Sequence, residues 1–296
     1  MWLVFALLSP VFWAIVHVLD SHCVERVFDR PWMGVITSSI ASTIVIAIVP
    51  FVFPFVDWTW PETKTILLAL LAGILIQSSQ IFYFQALNNS EAGVVAAYWN
   101  LTPAMVPVAS FIFFGKLLLT QQYLGISVLV ITSVCFCLVG TNIQTNWQAF
   151  WLMLIASCFQ VNALLLEDQV FKHCTFFIGF LLITVGIIVS GILPLLLAKV
   201  RQTFRKNMAL LQPAIPMLFG IEIANLIALF MSQRAIDLGV PSLVAAVEAT
   251  VPAYTFALSI LLLTIFSPFG DQDAWNHFPF KLFLSVVMAF GVRMVT

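Results

Sequence analysis

The stretch "AAYWNLTPAMVP", residues 96–107, decides how this chain folds. It sits inside an apolar run long enough to cross a bilayer, yet it holds an asparagine, a threonine and two prolines. Proline lacks an N–H, so Pro103 leaves the carbonyl of Trp99 without its helical donor, and Pro107 does the same to Pro103. Unpaired backbone at membrane depth is tolerated only where protein or cavity water satisfies it. The stretch therefore predicts an interrupted helix beside a cavity. A packing kink with no ligand is the plainer alternative.

Apolar residues make up 62% of the chain and charged residues 8%, with a mean hydropathy of +1.07. Soluble domains carry roughly 25% charged residues, so this chain cannot cover a water-facing surface and reads as an integral membrane protein. A crossing needs about 20 apolar residues. Ten such spans lie near 2–19, 33–56, 65–87, 91–114, 121–140, 147–166, 175–198, 213–235, 240–266 and 280–295. The separators include "DWTWPETK", "TNIQTN", "KVRQTFRKN" and "SPFGDQDAWNHFP", which read as turns or interfaces. Trp58, Trp60, Trp147, Trp151 and Trp275 fall at span ends, where headgroup-level aromatics belong. Met1 to Leu19 lacks a basic leader and a cleavage site, and reads as a retained first helix.

Several function classes lose their markers. A net charge of −1 without a basic patch argues against nucleic acid. The five cysteines form no metal or disulfide pattern and read as buried, inert thiols, so no metal and no cofactor are expected. No phosphate-binding P-loop, H-E-x-x-H or G-x-S-x-G motif occurs. The sequons at Asn88 and Asn100 lie in a minimal loop and in mid-span, and neither suits a glycan. With the N-terminus inside, five basic residues fall on inner positions and seven on outer ones (Arg26, Arg30, Lys199, Arg201, Arg205, Lys206 and Lys281). The positive-inside rule leans weakly toward the reverse.

The halves of the chain resemble one another. "VVAAYWNLTPAMVPVASFIFF" (94–114) aligns with "LVAAVEATVPAYTFALSILLL" (243–263), bringing Pro103 onto Pro252 and Ser110 onto Ser259. Upstream, Gly73 meets Gly220, and Asp20 meets Glu167. An odd number of spans per half inserts the halves with opposite orientation. The expected fold is an all-α membrane protein of about ten helices, in two inverted five-helix repeats, 1–141 and 142–296, around a central cavity. Interrupted helices at matching positions then mark a midplane substrate site. Pro252 frees the carbonyl of Glu248 as Pro103 frees that of Trp99.

Polar residues at this depth need a reason. Glu222, Asn225, Leu229 and Ser232 share one face of span 8 at helical spacing, and Glu248, Pro252, Thr255 and Ser259 form a stripe on span 9. Carboxyl groups here either bind a cation, carry an exchangeable proton, or stay protonated against a neighbouring helix. Span 1 places Trp13, His17 and Asp20 together, with Gln160 and Glu167 on the matching face of span 6. His17 suits proton relay or a hydrogen bond to Asp20. On span 3, Gln77, Gln80 and Tyr83 can meet a polar ligand, although helix–helix hydrogen bonds explain Gln and Ser equally well. Tyr98, Trp99, Asn100 and Thr102 on span 4 and Asn162 on span 6 complete the expected pathway.

The chain resembles the EamA branch of the drug/metabolite transporter superfamily. The likeness rests on "FYFQALNNSEAGVVAAYWNLTPAMVPVASFIFFGKLLLTQQYLGISVLVITSVCFCLVG" (82–140), with an A-L ending one helix, a T-P in the next, and a Gly-led short loop before an L-G helix. "FWAIVHVLDSHCVERVF" (12–28) resembles the first span of some members. Two positions depart: Gly115-Lys116 stands where Gly-Glu is common, and Val251, not Glu, precedes Pro252. The resemblance implies a cavity walled by spans 1, 3, 4, 6, 8 and 9, cytoplasmic termini, and amino acids, small metabolites or drugs as cargo.

The expected function is secondary transport of a small organic metabolite, amino acid-like or cationic or zwitterionic, by alternating access, coupled to protons or to exchange. Aromatic side chains supply stacking and cation–π surface. The expected partners are that solute, the lipid bilayer and protons, with a homodimer left open and a bacterial inner membrane as the location. The rival readings are an intramembrane enzyme acting on lipid or a lipid-linked substrate through His17, Asp20 and Glu222, and a non-transporting scaffold or accessory subunit.

Overall fold

The computed structural model describes the chain except residues 57, 91, 140–146 and 266–276, and gives backbone alone at 21, 25, 53, 210 and 262–265. Trp275, the separator at 141–146 and most of that at 267–279 lie outside the described residues. Among the described residues there is no strand, and ten helices are long and apolar enough to cross a membrane. They are span 1 (Trp2–Val24), span 2 (Trp32–Val52), span 3 (Thr63–Asn89), span 4 (Ala92–Phe114) and span 5 (Thr120–Leu138), followed by span 6 (Trp147–His173), span 7 (Phe176–Leu196), span 8 (Gln212–Leu238), span 9 (Pro241–Leu261) and span 10 (Phe278–Val295). An even number of crossings leaves Met1 and Thr296 at one face, called here the N-terminal face.

The interruptions fall where the prolines predict. Span 4 is two helices, Ala92–Trp99 and Leu101–Phe114, parted at Asn100. Span 9 is Pro241–Glu248 and Val251–Ile265, parted at Ala249 and Thr250. Pro103 and Pro252 each occupy the first turn of the second piece, where a missing N–H costs nothing. Pro107 lies inside its helix and does not break it. Among the described residues no backbone N–H reaches the carbonyl of Trp99 or Glu248.

Helix packing comes in matched sets. Span 3 packs on spans 6 and 7, while span 8 packs on spans 1 and 2; span 4 packs on span 6, while span 9 packs on span 1; spans 5 and 10 lie together. Spans 3 and 7 cross with their backbones in close approach. A Cβ on Gly73 would meet the Ile183 carbonyl oxygen at 2.0 Å, and one on Gly186 would meet that of Leu70 at 2.4 Å. Only glycine permits backbones that close.

One separator is more ordered than the sequence suggests. The separator at 199–207, expected as a turn or an interface, lies almost wholly in the helix Ala198–Lys206, which carries Lys199, Arg201, Arg205 and Lys206. Its Phe204 is buried with Met33, Ile36 and Leu211, which ties the helix to the start of span 2. Trp60, Trp147 and Trp151 are exposed near span ends, as expected of interfacial aromatics. Cys135 and Cys158 are exposed on their helices, contrary to the expectation that every thiol is buried; all five cysteines are free.

Candidate functional site

One cavity gathers many of the polar residues of the spans. The space open to the centre of a water-sized sphere is about 180 Å³, an order of magnitude above the roughly 10–15 Å³ that one water needs on this measure. Its wall takes side chains from spans 1, 2, 3, 4, 6, 8 and 9, with Ser133 of span 5 and Ile187 of span 7. Lining residues run from Phe28, Leu87, Ala92 and Leu218, near the face opposite the termini, to Glu167, Ser232 and Ala245. Toward the N-terminal face lies a cluster of aromatic rings. Phe171, Phe176, Phe180 and Phe230 pack ring on ring there, with centroids 5.1–6.2 Å apart. Arg234 lies over Phe176 at 4.9 Å and pairs with Asp237. Asp168 binds Lys116 at 2.9 Å and Lys172 at 2.5 Å.

Four carboxyl groups line the cavity: Asp20, Glu167, Glu222 and Glu248. No lysine or arginine does so among the described residues. Glu222 is held on both oxygens, by Ser42 at 2.5 Å and Asn225 at 3.2 Å on Oε1, and by Ser38 at 2.7 Å on Oε2. Ser9 donates to Glu248 at 2.9 Å. Gln233 donates to Glu167 at 2.7 Å. Asp20 has no hydrogen-bond partner among the described residues, so its oxygens remain available to a solute. The hydroxyl of Thr102, a residue only 4% exposed, is likewise unpartnered.

An aromatic wall stands beside Asp20. His17 Nδ1 and the Tyr83 hydroxyl are 2.8 Å apart. Trp13 and His17 have centroids 6.3 Å apart, and Tyr83 and Trp99 meet edge to face at 5.4 Å. The imidazole therefore pairs across the cavity with Tyr83 on span 3, and not with Asp20 on its own helix.

Thirteen of the fifteen expected pathway residues touch the cavity: Trp13, His17, Asp20, Gln77, Gln80, Tyr83, Trp99, Asn100, Thr102, Gln160, Glu222, Asn225 and Glu248. Two of these serve the scaffold. Gln77 donates to the Val35 carbonyl at 2.8 Å and to Ser39 at 2.7 Å, fastening span 3 to span 2. Asn100 donates to the Ala96 carbonyl one turn back. Gln160 accepts from Ser79 at 3.3 Å.

Tyr98 and Asn162 lie off the cavity wall. Tyr98 turns its ring onto Phe150, 5.5 Å away. Asn162 is two residues from Gln160, which on a helix points it nearly the opposite way; it is exposed and donates to the Cys158 carbonyl. Sequence reasoning missed Ser38 and Ser42, which sit four apart on span 2 and hold Glu222. It also left Glu167 off the expected pathway, although its alignment with Asp20 was the available signal.

Residues 1–139 match the EamA-like transporter family, so the resemblance drawn from residues 82–140 holds over the first half of the chain. No curated protein matches the sequence. A crystal structure of a protein shares the fold with a TM-score of 0.70, at 11% identity, over 100% of this chain and 96% of that one.

Proposed function

We propose, with the EamA-like transporter pattern of residues 1–139 as premise, that this multi-pass membrane protein is a secondary transporter. Its cargo is a small organic cation or zwitterion, moved by alternating access and coupled to protons or to exchange. The observation that carries the reading is the cavity wall, with four carboxyl groups, two interrupted spans and, among the described residues, no lysine or arginine. An anion has no countercharge there; a cation has several.

The reading includes two inverted repeats, residues 1–141 and 142–296. The matched packing of spans 3 and 8 supports it, as do the breaks at Asn100 and at Ala249–Thr250, which differ by the same 149 positions as Pro103 and Pro252. Aromatic rings and ion pairs clustered toward the N-terminal face, with lining residues toward the other, suit one end state of an alternating pathway. A bacterial plasma membrane is the proposed location, with lipid as surroundings and a homodimer as an allowed assembly.

The test is flux by the purified chain in sealed liposomes. Labelled organic cations should accumulate unchanged, above protein-free liposomes. Glu222→Gln should remove the response of that flux to an imposed pH gradient while leaving the elution profile intact. An undiminished response excludes Glu222 from coupling, and covalent conversion of the solute without a gradient would favour an enzyme.

A further inference from the structure

The fold assembles a basic surface that the sequence alone did not show. The helix Ala198–Lys206 joins span 7 to span 8 at the face opposite the termini. Its Val200 and Phe204, four apart, turn inward and join the cluster of Met33, Ile36 and Trp32 at the start of span 2. Lys199, Arg201, Arg205 and Lys206 then occupy an outward arc of roughly 160°, and all four are exposed. The same cluster takes in Val27 and Phe28, and Asn207 donates to Asp29 at 3.3 Å. These contacts draw the turn after span 1 against the helix and add exposed Arg26 and Arg30 to the surface.

Little on the protein balances this charge. Asp29 is taken up by Asn207 and by Arg30, 3.8 Å away. The chain has no Asp or Glu between Asp168 and Glu222. Among the described residues, none of the four basic side chains on the helix forms an ion pair. Arg201 and Arg205, four apart, repel one another along the arc, and an external anion removes that cost.

Exposed apolar side chains fix the level of the helix in the bilayer. Leu196 and Leu197 are 73% and 63% exposed before it, and Met208 is 43% exposed after it. Such side chains belong in hydrocarbon. Lys199 stands two residues beyond Leu197, and Lys206 two short of Met208, a reach of at most about 7 Å. The headgroup layer on each side of the hydrocarbon is roughly 5–7 Å thick. The basic arc therefore stands among headgroups and not out in free water.

We propose that this surface binds the headgroups of anionic phospholipids in the surrounding leaflet. Lys199, Arg201, Arg205 and Lys206 donate to phosphate oxygens, and Phe204 anchors the helix that carries them. Charge-assisted hydrogen bonds to phosphate suit both guanidinium and ammonium groups. A zwitterionic lipid offers the same phosphate but brings its own cation, so net headgroup charge sets the preference. The four residues lie outside the cavity wall, and the assignment is independent of the transported solute.

The experiment titrates the purified full-length protein in dodecylmaltoside with dioleoylphosphatidylglycerol or dioleoylphosphatidylcholine, and counts bound lipid by native mass spectrometry. A basic residue near an anionic surface contributes about fivefold. Two well-placed residues therefore suffice for a phosphatidylglycerol preference of at least about tenfold, which added salt should narrow. Lys199→Gln, Arg201→Gln, Arg205→Gln and Lys206→Gln together keep good helix formers at each position and should bring the preference below about twofold. Arg201→Gln with Arg205→Gln should cut it at least about threefold, which decides the matter where the fourfold variant does not fold. Lys64→Gln with Arg293→Gln, exposed at the N-terminal face, should leave it unchanged. Equal affinity of the wild type for the two lipids overturns the assignment, as does a preference that survives the helix substitutions or falls equally in the N-terminal-face variant. Displacement of phosphatidylglycerol by millimolar inorganic phosphate would mark a site for soluble anions and overturns it too.

Discussion

Replacing Gly73 and Gly220 by alanine makes the same chemical change at two positions that align between the halves, and the structure assigns the changes opposite signs. A methyl on Gly73 would sit 2.0 Å from the Ile183 carbonyl oxygen and 2.9 Å from Gly186 Cα, against the 3.4 Å at which ordinary contact begins. These are backbone atoms, so no side chain can swing aside; spans 3 and 7 must part by roughly 1 Å or more. Overpacking of this kind costs about 1–3 kcal/mol, offset by the 0.5–1 kcal/mol or so that alanine gains over glycine within a helix. The net loss is about 1–2 kcal/mol for Gly73→Ala. Nothing lies within 4 Å of a Cβ at Gly220, so Gly220→Ala keeps the helical gain of about 0.5–1 kcal/mol. At roughly 2 °C per kcal/mol for a chain of this size, Tm in detergent should fall by about 2–4 °C in the first variant and rise by about 1–2 °C in the second. Equal shifts in the two, or a neutral Gly73→Ala, would refute the assignment of spans 3 and 7 as a tight crossing.

Further outcomes follow from the charged and polar groups. Asp168→Asn strands the ammonium groups of Lys116 and Lys172 and should lower Tm by about 4 °C, for a loss of about 2 kcal/mol; an unchanged Tm means that this cluster does not stabilise the fold. Burial pulls the Lys116 ammonium down, but hydrogen bonding and proximity to Asp168 leave it above its ordinary value. A raised lysine stabilises the fold below its unfolded-state value of about 10.4, and that gain fades only as pH rises through the higher folded value. The Tm gap between wild type and Lys116→Met should therefore stay constant from about pH 6 to 9; a gap that closes within that range contradicts the pairing. Asn162→Leu, on an exposed helix face, should leave cation flux unaltered and Tm equal or higher. A loss of flux would return Asn162 to the pathway.

The number of spans and the two breaks were legible because hydropathy and proline act locally. "NLTP" and "EATVP" mark interruptions whatever surrounds them. The rotation of each helix was far less legible. In water a buried face shows as an apolar stripe, but a helix apolar all round carries no such stripe. That is why Asn162 was grouped with Gln160, and why Ser38 and Ser42 passed unnoticed until span 2 was seen against span 8. The His17–Tyr83 contact joins residues 66 apart in sequence, and neither local spacing nor composition could choose it over Asp20. Lys116 looked anomalous only because its partner, Asp168, lies 52 positions away.

Glu167 and Asp168 are neighbours with incompatible duties. One lines the cavity and accepts a hydrogen bond from Gln233, and the other is clasped by two lysines toward the N-terminal face. A turn of span 6 by a single residue would carry the first out and bring the second in, breaking both sets of contacts together. Under the proposed alternating access, a tilt or slide of span 6 as a rigid rod keeps both sets of contacts where a twist breaks them, and spectroscopic labels along it should then report translation without rotation.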